Sequence, residues 1–201
     1  MPMTTTRHRL ALAVATALAV GLTHPAGAAA PKPGLHVSDP AGDANGLNGQ
    51  GFGAPIPSRS TSPATVSGAD ITGIDFRTVW VGKGKKRKPF GFDVTMKLAA
   101  PLQKGVTIVM TMETSVPCGE TNVIQVGYGT SSLAVCQTNG GTANDDIGTW
   151  SASADGTSIT WSIDPVVKAG TTITNIAAST TVFVLGVFDE ASSTGVFRYG
   201  K

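Results

Sequence analysis

Two clusters of side chains in this sequence have the types and spacing to do chemistry. The first is Asp39-Pro40-Ala41-Gly42-Asp43-Ala44-Asn45-Gly46, with Asp70 opening the alternating segment further on. Asp39, Asp43 and Asn45 offer three oxygen-bearing side chains within seven residues, and a glycine-rich turn lets backbone carbonyls point inward. Ca²⁺ takes roughly six to eight such oxygen ligands, and Asp70 can close the set from the neighbouring strand. The spacing is not that of an EF-hand loop, which ends on Glu. Asp-Pro and Asn-Gly steps are also turn formers whose Asp bonds its own backbone without metal. A structural calcium site and an ordinary turn therefore both stand as readings.

The second cluster is Lys83-Gly84-Lys85-Lys86-Arg87-Lys88, five positive charges in six residues. The whole chain has 15 Lys plus Arg against 13 Asp plus Glu, two of the basic residues being Arg7 and Arg9 near the start. Without those two the charges balance, so this run concentrates positive charge in an otherwise acidic molecule. Such polarity favours anionic polymers, either envelope phosphate polymers or sulfated and uronic glycans. The alternative is a solvated loop that keeps a hairpin soluble and unpaired. A near-neutral chain with no aromatic residue inside its basic run is not built as a nucleic-acid binder.

Catalytic constellations are sparse. His36 is the one histidine beyond residue 30, which serves neither a Ser-His-Asp arrangement nor a zinc site, and no GxSxG motif is present. A glycan hydrolase or lyase needs only two carboxylates. Glu113, Glu120, Asp145, Asp146, Asp189 and Glu190 leave that alternative open, although most are expected in turns. Sugar stacking would fall to Trp80, Trp150, Trp161, Tyr128 or Tyr199. Trp80 and Trp161 are in phase with apolar neighbours and read as core, whereas Trp150, beside the polar loop 139–148, reads as the surface platform. The reading is a non-enzymatic binding module, with a glycan-active enzyme or a protein-interaction or inhibitor domain as alternatives.

The elements that must position these residues begin with a leader. Arg7 and Arg9 precede an apolar run, 10–22, too short to span a bilayer. Ala26-Gly27-Ala28 and Ala28-Ala29-Ala30 both satisfy the small-x-small rule, placing cleavage after Ala28 or Ala30. Residues 1–30 are thus expected to be a secretory signal peptide and 31–201 a single secreted domain with no membrane span. Export permits a disulfide between Cys118 and Cys136, the two cysteines. They flank a predicted hairpin, 122–128 with 131–137.

Residues 39–69 form a long polar loop without periodicity, and from Asp70 the period becomes two. Ile74, Phe76, Thr78 and Trp80 alternate with Asp75, Arg77 and Val79, and Phe90, Phe92, Val94, Met96 and Leu98 with Gly91, Asp93, Thr95 and Lys97. Further strands are predicted at 35–38, 106–113, 147–153, 158–163, 172–178, 181–188 and 195–199, with Asp155-Gly156 as a hairpin turn. The one helical candidate is 164–169, with Asp164 as cap, Pro165 in the first turn and Gly170 as terminator. This predicts an all-β fold, an antiparallel two-sheet, jelly-roll-like β-sandwich of 8 to 10 strands with one short helical turn.

The opening DPAGDANG, a loop, and then GADITGIDFRTVWV resembles that of secreted bacterial β-sandwich domains similar to family 9 carbohydrate-binding modules and the C-terminal domain of glucodextranase. The later segment TWSASADGTSITWSIDPVVKAG is similar to the second half of such domains. The resemblance covers about a third of the chain. It implies that Asp39, Asp43 and Asp70 bind calcium. The loop after the opening carries Phe52 alone where those domains often have an aromatic-rich segment, which weakens the transfer of sugar binding.

Overall fold

The structure, a computed structural model, describes residues 34–42, 44–46, 68–129, 134–139, 146–182 and 187–201. The predicted leader, Asp43, Asp145 and most of the 39–69 loop lie outside the described residues. The chain forms β1 (Leu35–Ser38), β2 (Asn45–Gly46), β3 (Ile71–Val81), β4 (Lys88–Leu98), β5 (Thr107–Thr114) and β6 (Val123–Tyr128). It continues through β7 (Ala134–Cys136), β8 (Gly148–Ala152), β9 (Ser158–Ile163), β10 (Thr172–Val182), β11 (Val187–Ser193) and β12 (Phe197–Arg198). One sheet runs β1-β3-β4-β9-β8; the other runs β2-β11-β10-β5-β6-β7, with β12 also on β10. Every pairing is antiparallel.

The inner faces carry the residues that the period of two assigns to them. Ile74, Phe76, Phe92, Val94, Met96 and Trp161 from the first sheet are buried against Ile108, Met110, Met112, Ile124 and Ile176 from the second. Phe197 and Tyr199 enter between them, with ring centroids 5.5 to 5.9 Å from those of Phe76 and Phe92. The Trp161 Nε1–H donates to the Gly127 carbonyl at 2.9 Å, joining the sheets and satisfying a polar atom whose burial would otherwise be costly. The Asp155-Gly156 hairpin joins β8 to β9, with Gly156 at φ 70°. Asp155 Oδ1 accepts bonds from Ser153 Oγ and the Thr157 amide, which hold its carboxyl below the usual range.

Four expectations are corrected. The short β2 lies inside the 39–69 loop, and the described residues form twelve strands where 8 to 10 were expected. A turn expected near 179–180 is instead the middle of β10, because Ile176, Ala178 and Val182 keep their inward phase and Thr180 joins them, its hydroxyl donating to the Ala69 carbonyl. Segment 164–169 is not helical: Val167 is buried in the core with Val166 packed against it, and two β-branched residues so engaged favour extended backbone. The helical turn falls at Gly84–Lys86, within the basic run.

Candidate functional site

β3 carries one chemical cluster at each end. Asp70 immediately precedes it and is 2% exposed. The Gly42 amide donates to Asp70 Oδ2 at 2.6 Å, fastening the DPAGD turn to the strand. The Asp39 amide reaches the Thr72 carbonyl at 3.4 Å, and the Ala99 amide the Asp70 carbonyl at 2.9 Å. A carboxylate that the sequence suggested only for an enzyme joins them: Asp189 on β11 is 4% exposed. Its Oδ2 accepts from the Ile71 amide at 2.6 Å, and its Oδ1 from the Glu190 amide at 2.9 Å. No local signal marks it, because Asp189 reaches this end through a bond to a residue 118 positions earlier in the chain.

Asn45 lies on β2 opposite Phe188, the residue before Asp189; Asp43 is outside the described residues. Asp39 Oδ2 and Asp70 Oδ1 are shielded from solvent. These are hard oxygen donors of the kind calcium takes. Among the described residues, however, no three His, Cys, Asp or Glu side chains are grouped to hold a metal ion.

At the other end, roughly 35 Å along the strand, the β3–β4 hairpin outruns its neighbours. β1 pairs with β3 only as far as Phe76, and β9 with β4 only as far as Phe92. Beyond them the ribbon continues through Trp80–Pro89 and Val81–Lys88 to the turn at Gly84–Lys86. Residues 81–88 are all exposed. Among the described residues none of Lys83, Lys85, Lys86, Arg87 and Lys88 joins an ion pair. Arg87 is engaged differently, its guanidinium lying 4.7 Å from the Trp80 ring centroid, a cation–π contact worth about 0.5 to 1 kcal/mol at an exposed site. Trp80, expected in the core, is half-buried beneath that cover.

Trp150 is 39% exposed. It stands opposite Trp161 on edge strand β8 and meets Tyr128 of the other sheet in a T-shaped contact at 4.8 Å. It closes the side of the sandwich as well as facing solvent. Tyr199 is buried, its hydroxyl accepting from the Gly91 amide at 2.9 Å. Cys118 and Cys136 form the disulfide, Cα atoms 5.8 Å apart, tying the turn before β6 to β7.

The outer face of the β1-β3-β4 sheet carries a network that cross-strand register creates. His36 Nδ1 lies 2.5 Å from Asp75 Oδ1, and Lys97 Nζ 2.6 Å from Asp75 Oδ2. Burial raises the Asp75 carboxyl, but hydrogen bonds from Lys97 and His36 outweigh it and hold the group below its ordinary value. Arg77 pairs with Asp93, which also accepts from Ser162 Oγ. Elsewhere Glu113 accepts from Asn175 Nδ2 and Glu120 from the Asn139 amide. Among the described residues no helix is long and apolar enough to cross a membrane. The chain matches no protein-family model, no curated protein and no solved structure.

Proposed function

We propose that this chain is a secreted, non-enzymatic recognition module whose basic hairpin binds an anionic polymer, a polysaccharide or phosphate polymer of the cell envelope. The observation that carries this reading is the projection of the β3–β4 ribbon past its neighbours with its cations exposed. Protruding charge costs little desolvation in the free protein and is available to a polymer. Export is supported by the basic and apolar opening of the sequence and by the disulfide.

The acidic end has a structural role in this proposal. Calcium held by Asp39 and Asp70, with Asp43 and Asn45 contributing from the turn, would offset carboxylate charge at a place where Asp70 and Asp189 are already buried. The opening's resemblance to family 9 carbohydrate-binding modules points the same way, and the Gly42 to Asp70 bond brings turn and strand together.

The test is retention on an immobilised anionic polymer over a salt gradient. Wild type should be retained and elute with added salt, because exposed charges are screened, while Lys83→Ala, Lys85→Ala, Lys86→Ala and Lys88→Ala combined should flow through. Equal retention of the two proteins would overturn the assignment of binding to the hairpin.

A further inference from the structure

We infer that the hairpin's ligand is an acidic polysaccharide, a linear glycan with carboxylates on its sugar rings, taken by a site larger than the basic run; this rests on the polymer reading above. Two observations enlarge the site. Phe90 belongs by simple alternation with Phe92 on the buried face, yet it is 53% exposed. The register shifts between Thr78 and Trp80, and Gly91, at φ 126°, lies against the Ile163 carbonyl where any Cβ would collide. This bulge turns Phe90 outward beside Lys88. Val81, opposite Lys88, is 45% exposed.

The fold also brings two distant lysines to the hairpin's base. A Cβ on Gly200 would lie 3.0 Å from Ala169 Cβ and 3.3 Å from Pro89 Cγ, and the Gly170 amide bonds the Tyr199 carbonyl at 2.7 Å. Lys168 and Lys201, each next to one of these contacts, are exposed. Cations therefore extend from the tip to the base of the ribbon, with an uncovered aromatic ring among them. Asp164, whose backbone also approaches Gly91, is an acidic group at that base.

A ligand that satisfies both features alternates anionic groups with apolar faces, as a uronate chain does with its carboxylates and ring C–H surfaces. Lysines are mobile point charges suited to spaced carboxylates, whereas the one forked cation of the tip, Arg87, is taken by Trp80. Phosphate polymers without rings leave Phe90 unused. Membrane insertion scales with buried apolar area, and two half-exposed side chains supply little.

The experiment is calorimetric titration of the whole protein with hyaluronan, a linear glucuronate glycan, beside inorganic polyphosphate and phosphatidylglycerol vesicles. Wild type should bind hyaluronan best. Phe90→Ala should weaken hyaluronan about fivefold, the scale of one aromatic contact, and leave polyphosphate unchanged. Lys168→Ala with Lys201→Ala should weaken both polymers severalfold, as exposed charge pairs do. Phe90→Leu, which keeps an apolar side chain but no ring, should behave as Phe90→Ala, and matched melting temperatures would show that both variants fold. Hyaluronan binding indifferent to Phe90, or weaker than polyphosphate or vesicle binding, would overturn the inference; in the first two cases the anionic-polymer reading survives. Binding to none of the three would overturn both.

Discussion

The two ends of β3 obey the same alternation and put their charges to opposite uses. At Asp70 the carboxylate is turned inside and bonded to the Gly42 amide, and Asp189 beside it is bonded to the Ile71 amide. Past Thr78 the strand loses its outer neighbours, and the lysines that follow stay in water. A buried charge must be matched by hydrogen bonds or counter-charge, so its loss is felt in folding. An exposed charge costs the fold little to keep or remove. The acidic end is therefore where this molecule holds the turn at Gly42, and the basic end is where it can meet a ligand without disturbing its core.

That contrast is broken most strongly from outside both regions. Replacing Cys118 and Cys136 together with Ala releases a cross-link of sequence separation 18 and should cost about 3 kcal/mol in the chain-entropy model. Denaturant unfolding checks this, and binding by the folded variant should be unaffected. Next, Asp70→Ala removes the acceptor of the Gly42 amide, an expected loss of about 1.5 to 3 kcal/mol for a bond to a charged group. If calcium sits there, wild type should melt several degrees higher in excess calcium than in chelator, and Asp70→Ala and Asp39→Ala should not. Identical wild-type melting in both conditions would return DPAGDANG to an ordinary turn.

Smaller is the effect at the Asp75 network. Its folded carboxyl is held low, so its contribution is present above the unfolded value of about 3.9 and is lost as pH falls through the lower folded value. Asp75→Asn should thus destabilise at pH 7 and by progressively less as pH falls below about 3.9, by thermal melts across that range. The smallest effect on stability belongs to the tip. Neutralising Lys83, Lys85, Lys86 and Lys88 should change unfolding free energy by less than about 0.5 kcal/mol, the usual range for exposed substitutions, while removing polymer binding.

Much of the sheet arrangement was legible because β5 and β9 bury one face and wet the other, leaving the period of two intact. It failed at Phe90, where one glycine bulge reverses the phase, and at Ser179-Thr180, where hydroxyls that look like a turn are absorbed by a bond to the Ala69 carbonyl. The basic run announced itself by composition. Lys168, Lys201 and Asp189 did not, because each joins its cluster through contacts between segments far apart in the chain, which periodicity does not report. The bond from the Gly42 amide to Asp70 likewise joins segments that periodicity does not connect.

The most direct test of this division of labour is the thermal midpoint of the wild-type protein and of the four-lysine variant, each with and without hyaluronan in excess. Ligand at a hundred times its dissociation constant adds about 2.7 kcal/mol, so wild type should rise by several degrees and the variant, equally stable alone, should not move. Equal shifts in both proteins, or none in wild type, would contradict the account.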